Sequence, residues 1–207
     1  MANNCYNNIT ITGESEQIEK IRYLMESTRG TDDGIFITLV GLPEGMTPTE
    51  YKEKWWETNV NYWGCRWNIK VDDLDLFECD NESIELVFDS DNAPPIPFCS
   101  KLADIFNVKV VNYYSEGGMG FTGEATCLPG GQVEDAEYNY LEGMYILRPN
   151  EFWDEVDNLI ENICEENDTK KERVQALKDS FPYVTKKDLK TLKDKLNETI
   201  QDYGEES

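Results

Sequence analysis

The chain has 207 residues, a net charge of −23 at pH 7, a pI near 4.2 and no histidine. Its length fits one large domain, or one domain with a small appendage, and its 39% hydrophobic residues can fill a core. Binding to DNA or RNA needs Lys and Arg to neutralise phosphates, so the charge argues against direct nucleic-acid binding and against anionic membranes.

The N-terminus and the cysteines indicate a compartment. The first residues contain no basic and apolar leader, and no later stretch approaches the ~18 consecutive apolar residues that a membrane-spanning helix needs. The six cysteines are scattered and form no Cys-x-x-Cys pair. We therefore expect a soluble, cytoplasmic protein with reduced, buried cysteines and with no metal or other cofactor.

The first part of the chain predicts a strand, a helix and a second strand. Alternating apolar and polar residues over 5–11 indicate the first strand. Ser15 begins a helix with one apolar stripe, which ends near Gly30. The apolar run 34–40 predicts the second strand, and the capping box at 47–50 then opens the helix of an insertion.

The residues after the insertion predict the rest of a sheet. Two strands, 68–75 and 83–89, are joined by an acidic turn, and prolines lead into a helix over 96–106. Residues 108–114 predict a further strand, and a glycine-rich turn connects it to a hairpin partner at 124–127. This order is that of the ferredoxin-like split βαβ arrangement, so we predict an α+β body with an insertion after the second strand.

Helix formers dominate after Pro149 and predict a three-helix tail. The predicted domains are therefore a ferredoxin-like domain at 1–148 and a C-terminal helical extension at 149–207. The last helix carries an apolar stripe, which covers the protein's own core or docks on a partner helix; the first role is the commoner one. The stripe consists of Leu189, Leu192, Leu196 and Ile200.

Segment 61–68 (NYWGCRWN) concentrates aromatic surface around the flexible Gly64. Each indole brings a large apolar area and one N–H that needs a partner. Such a segment lies in the middle of a core or in the middle of a contact, and we favour the core because most tryptophan is buried. The predicted aromatic cluster is Trp55, Trp56, Trp63 and Trp67.

Four stretches carry a resemblance to a known family. They are MANNCYNNITITG, NYWGCRWNIKVDD, LVFDSDNAPPIPFCSKLADIF and YYSEGGMGFTGEA. In this order, over residues 1–127, they resemble the YubB ferredoxin-like domain family, which is found in phage, plasmid and other mobile-element proteins. Two departures are that Asn4 stands where the family usually has Trp and that Asp91-Asn92 replaces an Ala-Trp-Ser run. The resemblance implies a fold and a mobile-element origin, hence the host cytoplasm for a phage-encoded protein, and it implies no enzymatic activity.

The residues themselves contain no recognisable catalytic constellation. Histidine, the commonest general acid–base group, is absent, so a nucleophilic Cys or Ser would lack its usual activator. Asp89, Asp91 and Glu116 could form a carboxylate pair, but acids at these positions are typical of turn caps. The acids after residue 71 could bind calcium, yet they lack the order of an EF-hand loop. We predict no catalytic residue and no metal site.

The distribution of acids is the strongest functional signal. Residues 71–100 contain nine acids and no Lys or Arg. They form either an ordinary solvated face or a surface that docks on a basic groove. The predicted partner-binding face is Asp72, Asp73, Asp75, Glu78, Asp80, Glu82, Glu85, Asp89 and Asp91.

Three hypotheses follow for the function. The leading one is a non-enzymatic inhibitor from a phage or another mobile element, which blocks the nucleic-acid-binding surface of a host defence effector (anti-CRISPR or anti-restriction) by DNA mimicry. The alternative is a protein–protein adaptor that uses the C-terminal helices. A carboxylate-based cation binder or hydrolase is the third.

Overall fold

The computed structural model describes residues 3–167 and 169–205, with the side chains of residues 77–79 and 202–205 outside this description. The chain divides into two compact units, Met1–Tyr138 and Asn139–Ser207, and each is described by itself below. None of the helices in these ranges carries an apolar stretch long enough to cross a membrane.

Unit 1 is built on a six-stranded sheet. Its strands are β1 (Asn4–Thr12), β2 (Asp75–Asp80), β3 (Ser83–Asp91), β4 (Lys109–Glu116), β5 (Phe121–Leu128) and β6 (Gln132–Asn139). Their spatial order is β2-β3-β1-β4-β5-β6, and the pairs β2–β3, β3–β1, β1–β4 and β4–β5 are antiparallel. The helices of this unit are α1 (Ser15–Glu26), α2 (Ile35–Leu39), α3 (Pro48–Trp63) and α4 (Ile96–Phe106).

The first four strands form the predicted ferredoxin-like arrangement. α1 lies between β1 and β2 in the chain, α4 lies between β3 and β4, and the spatial order of these strands is β2-β3-β1-β4. A strand of the other unit is thus inserted between the two strands of each βαβ unit: β3 lies between β1 and β2, and β1 lies between β3 and β4. This arrangement defines the split βαβ fold. The predicted α+β fold class is confirmed.

The predicted second strand at 34–40 is wrong, because Ile35–Leu39 form the short helix α2. Segment 61–68 and its neighbour stabilise the start of this helix: the Ile35 N–H donates to the carbonyl of Ile69 (2.7 Å), and the Phe36 N–H donates to Asn68 Oδ1 (2.9 Å). A short apolar run fits a buried strand and a buried helix equally well by periodicity. The insertion therefore consists of α2 and α3 and lies before the second strand, not after it.

Two further elements differ from the prediction. The predicted strand 68–75 is wrong over 68–74: Val71–Asp73 form a 3-10 turn, and β2 begins only at Asp75. β6 was not predicted, because residues 132–137 are all exposed and therefore lack the apolar alternation that marks a half-buried strand.

In its described residues, unit 2 contains four helices around its own core. They are α5 (Tyr140–Leu147), α6 (Pro149–Glu166), α7 (Lys170–Ser180) and α8 (Lys186–Glu205). Helices after Pro149 were predicted, whereas α5 was not. Leu192 and Leu196 of the predicted stripe are fully buried in the cluster that includes Phe152 and Leu177, so these two leucines serve the core of the unit.

The cysteines of the described side chains are buried and free, as predicted. Burial raises the pKa of the Cys5 thiol to about 12 and that of Cys127 to about 11, so both are protonated at neutral pH. The side chain of Cys79 lies outside the described residues.

Candidate functional site

The candidate site is the sheet face opposite the side chains that fill the core of unit 1. Along β3, Ile84, Leu86 and Phe88 are buried, so the alternating residues Glu85, Val87 and Asp89 lie on the other face. The pairing register extends this face across neighbouring strands. Asp75 of β2 is opposite Val87, and Tyr6 of β1 is opposite Asp89.

This register brings three carboxylates together. Glu85 and Asp89 are the two diagonal neighbours of Asp75, at a distance of about 7–8 Å in an antiparallel pair. Asp75 and Asp89 are exposed, whereas Glu85 is half-buried and accepts a hydrogen bond from Asn8 Nδ2 (2.5 Å). The three acids therefore form one negative patch on a rigid sheet.

A groove of about 470 Å³ lies on this patch, and we name it the acidic groove. Tyr6 is 37% exposed, and its ring contacts Tyr113 edge to face at 6.3 Å, which holds it in place. Asp72 is the one groove acid with an ion pair among the described contacts, to Arg29 at 3.4 Å. The described lining includes no Lys or Arg and consists of Tyr6, Leu74, Val87 and Phe88 with Asp72, Asp73, Asp75 and Asp89.

Asp91, although predicted for the acidic face, is used inside the protein. Its side chain is 7% exposed, accepts a hydrogen bond from the Arg66 N–H (2.9 Å) and forms an ion pair with Arg66 Nε (3.2 Å). This contact fastens segment 61–68 to the end of β3. Asp91 is therefore unavailable to a partner.

The turn between β2 and β3 uses another predicted acid. Asp80 accepts hydrogen bonds from the Glu82 N–H (2.8 Å) and from the Ser83 hydroxyl (2.9 Å). These bonds, the Glu82 N–H first, lower the pKa of Asp80. Glu82 is exposed at the same turn, and the side chain of Glu78 lies outside the described residues.

Trp63 belongs to the core, as we favoured. It is fully buried, its Nε1 donates to the carbonyl of Gly41 (3.3 Å), and its ring meets Phe36 edge to face at 5.8 Å. Gly64 then ends α3 with a left-handed φ of 93°, a backbone conformation that glycine adopts without strain.

Trp67, in contrast, is 52% exposed, so the core interpretation is wrong for it. Its ring stacks on Trp55 at 4.9 Å and 26°, and the Arg66 guanidinium lies 5.9 Å from its centre. Trp56 is 51% exposed. The predicted aromatic cluster thus separates into one core residue and a surface pair, with Trp56 exposed to solvent.

The chemistry that this arrangement supports is binding of positive charge. Among the side chains that the structure describes, which exclude those of 77–79 and 202–205, no three Asp, Glu or Cys converge as they do around a metal ion. Sequence reasoning missed Tyr6 and Val87 as members of the site. The alternation over 5–11 did place Tyr6 on the face opposite Ile9 and Ile11, and that signal could have identified it.

Comparisons with known proteins concern the fold. Residues 66–167 match a family model described as the ferredoxin-like domain in Api92-like protein, a range that begins and ends later than the resemblance over 1–127. A crystal structure of protein api92 from Yersinia pseudotuberculosis is 12% identical, with coverage of 67% of this chain and 99% of that chain and a TM-score of 0.47. None of the curated proteins matches. Over residues 66–167 the chain is therefore similar to the ferredoxin-like domain of Api92-like protein.

Proposed function

We propose that the protein is a non-enzymatic inhibitor that binds the basic, nucleic-acid-binding surface of another protein through the acidic groove. The observation that carries the proposal is the composition of this groove: its described lining includes four aspartates and Tyr6 and holds no Lys or Arg. Complementary electrostatic potentials speed association and select among partners, so an acidic surface of this kind favours a cationic partner.

A comparison with RNA-binding sheets supports the same conclusion. RRM domains stack bases on aromatic side chains of a four-stranded sheet, while basic residues neutralise the phosphates. Here Tyr6 offers a comparable aromatic platform, but its neighbour across the ladder is Asp89 and Asp75 lies on the next strand. This face repels phosphates and attracts the groups that normally bind them.

The kind of partner follows from the resemblance to the YubB family, which implies a mobile-element origin. Mobile elements meet host nucleases, and a nuclease carries a basic surface for nucleic acid. We therefore propose a host defence effector as the partner, a CRISPR effector or a restriction enzyme, blocked stoichiometrically by mimicry of a nucleic acid and without a cofactor. The inhibitor would act in the host cytoplasm.

A competition assay tests this function. A labelled DNA or guide RNA is bound to a candidate effector at low salt, and the purified protein is titrated in. We expect displacement that weakens as salt rises, because screening acts on exposed charges beyond ~10 Å at 0.1 M salt. If no candidate effector loses its nucleic acid at low salt, the proposal fails.

Charge variants then locate the contact. The double variant Asp75→Asn/Asp89→Asn removes two groove charges, and we expect it to weaken displacement about eightfold, since exposed ion pairs contribute ~0.2–1 kcal/mol each. The control, Asp154→Asn/Asp194→Asn, removes the same charge from exposed positions of unit 2. Equal weakening by both variants would show that only net charge matters and that the groove is not the site.

The two alternatives have less support. The adaptor hypothesis depended on the stripe of α8, and the burial of Leu192 and Leu196 leaves only its margins for a partner. The cation-binding hypothesis stays a prediction. Calorimetric titration with calcium and magnesium tests it, and heat that saturates at one equivalent would favour it over the inhibitor.

A further inference from the structure

Unit 2 contains a second pocket, which is independent of the acidic groove. It has a volume of about 570 Å³ and lies between the first turn of α5 and the end of α7, so we name it the α5–α7 pocket. Tyr140, Leu141, Pro182 and Tyr183 form its apolar and aromatic walls. Its described lining contains two acids and no Lys or Arg, although α7 and α8 are rich in lysine.

One residue of the pocket lining, Tyr183, has an unsatisfied hydroxyl in the described part of the chain. Among the described residues, Tyr183 Oη is buried and has no hydrogen-bond partner. The ring itself is held by Tyr145 at 5.9 Å and by Phe181 at 6.3 Å. Burial raises the pKa of Tyr183, and the negative charge of Glu142 raises it further, so the phenol stays neutral. An enclosed hydroxyl without a partner is unfavourable, and a ligand that donates to it would remove that cost.

The electrostatics of the α5–α7 pocket favour a cation. Glu142 lies in the first turn of α5, and Asp179 lies in the last turn of α7, where it accepts a hydrogen bond from Gln175 Nε2 (2.8 Å). The end of α7 adds the partial negative charge of a helix C-terminus and backbone carbonyls that need donors. The apolar walls suit the methylene groups of a long basic side chain.

We infer that the α5–α7 pocket binds an arginine side chain of a basic segment in a protein partner. The guanidinium pairs with Glu142 and donates to Tyr183 Oη, while its stem lies along Leu141 and Pro182. Arginine suits the site better than lysine because its planar group stacks on aromatic rings, pairs with a carboxylate through two bonds and is less strongly hydrated. Binding in this pocket does not depend on the acidic groove.

NMR titration of the full chain with N-acetyl-Ala-Arg-Ala-amide tests this inference. The matched probes replace arginine by citrulline, which keeps the shape without the charge, and by lysine. Because the net charge of −23 attracts any cation, the titrations are made at physiological salt. We expect the largest amide shifts at 139–142, 179–181 and 183, with the arginine peptide binding most tightly and the citrulline peptide most weakly.

Two variants decide whether the named atoms bind the probe. Glu142→Gln, which keeps the length of the side chain, should weaken arginine binding about tenfold, in line with a lost hydrogen bond to a charged group. Tyr183→Phe keeps the ring packing and should weaken it about threefold to tenfold, as expected for one ordinary hydrogen bond. Asp154→Asn, at an exposed position outside the pocket, is the control and should leave binding unchanged.

The results that overturn the inference are equally specific. Equal affinity for the arginine and citrulline peptides would show that the positive charge of the guanidinium does not contribute to binding in the pocket. Shifts centred on Tyr6 and Asp89 would show that the peptide binds in the acidic groove. The α5–α7 pocket would then not be an arginine site, while the proposed inhibitor function would be unaffected. If the protein displaced no nucleic acid in the competition assay but still bound the arginine peptide at the α5–α7 pocket, the proposed inhibitor function would fail and the arginine site would stand.

Discussion

Replacing Trp63 by alanine tests the structural centre of unit 1. The side chain is fully buried, its ring contacts Phe36 and Tyr51, and its Nε1 donates to the carbonyl of Gly41. Truncation of a buried aromatic costs about 3–5 kcal/mol of unfolding free energy. Because the hydrogen bond to Gly41 is lost as well, we expect a value in the upper half of that range, about 4–5 kcal/mol.

Trp67→Ala is the matched control, since it removes the same side chain four residues later. Trp67 is 52% exposed and has one stacking partner, Trp55. An aromatic pair contributes about 0.5–1.5 kcal/mol beyond burial, and half of the ring is already in water, so we expect a loss of about 1–2 kcal/mol. The two substitutions should therefore differ by at least ~2 kcal/mol.

Urea unfolding followed by tryptophan fluorescence measures both values. Trp153 lies in α6 of unit 2, so both variants are made in a Trp153→Phe background, where the remaining tryptophans report unit 1 alone. The slope of free energy against urea must stay constant for the comparison to hold. If Trp63→Ala costs no more than Trp67→Ala, the assignment of Trp63 to the core is wrong.

Three smaller predictions concern the backbone and the charges. Gly64→Ala should lower the unfolding free energy by about 2–4 kcal/mol in chemical denaturation, because φ is 93° and a Cβ would lie 2.6 Å from a proline ring of α4. Gly41→Ala is its control: φ is 79° there too, but the space around it is open, so the loss should be only about 1–2 kcal/mol. Hydrogen bonds from the Thr169 hydroxyl, the larger effect, and from the Thr169 N–H lower the pKa of Glu172. The unsubstituted protein should therefore be more stable than Glu172→Gln above pH 4.5, and this difference in unfolding free energy should shrink as the pH falls below that value. Asp75→Asn should raise the unfolding free energy by a few tenths of a kcal/mol, about 0.3, by relieving repulsion; a loss would show a structural role for this acid.

The fold could be predicted wherever a local pattern has one structural meaning. The alternation in β1 and the capping box that begins α3 identified elements that the structure contains. The pattern failed at Ile35–Leu39, where a side chain 32 residues away, Asn68, supplies a hydrogen bond that begins a helix. It failed again at β6, whose exposed residues depend on pairing rather than on burial. Both elements are determined by tertiary contacts that no local window contains.

The candidate site could be predicted as a region but not as a set of atoms. Counting charges identified residues 71–100, since it needs no geometry. The different roles of Asp89 and Asp91 can be seen only in the structure, because the two residues are two positions apart on β3 and the sequence pattern places both on the same face. Arg66 approaches only the second of them, through its backbone N–H and its guanidinium. Tyr6 entered the site through its register opposite Asp89, which composition cannot reveal.

We propose that the acidic groove serves binding, because neighbouring carboxylates do not by themselves stabilise a fold. Like charges on neighbouring strands oppose folding, and Asp75 has two acidic diagonal neighbours. The protein uses other acids, Asp80 and Asp91, for caps and ion pairs that stabilise it. Some acids of this protein are thus neutralised, while acids of the groove are left to repel one another. This pattern is expected where a cationic partner supplies the missing counter-charge. Asp75→Asn therefore has two linked outcomes: a more stable protein that displaces nucleic acid less well supports the argument, and a more stable protein that displaces it equally well removes it.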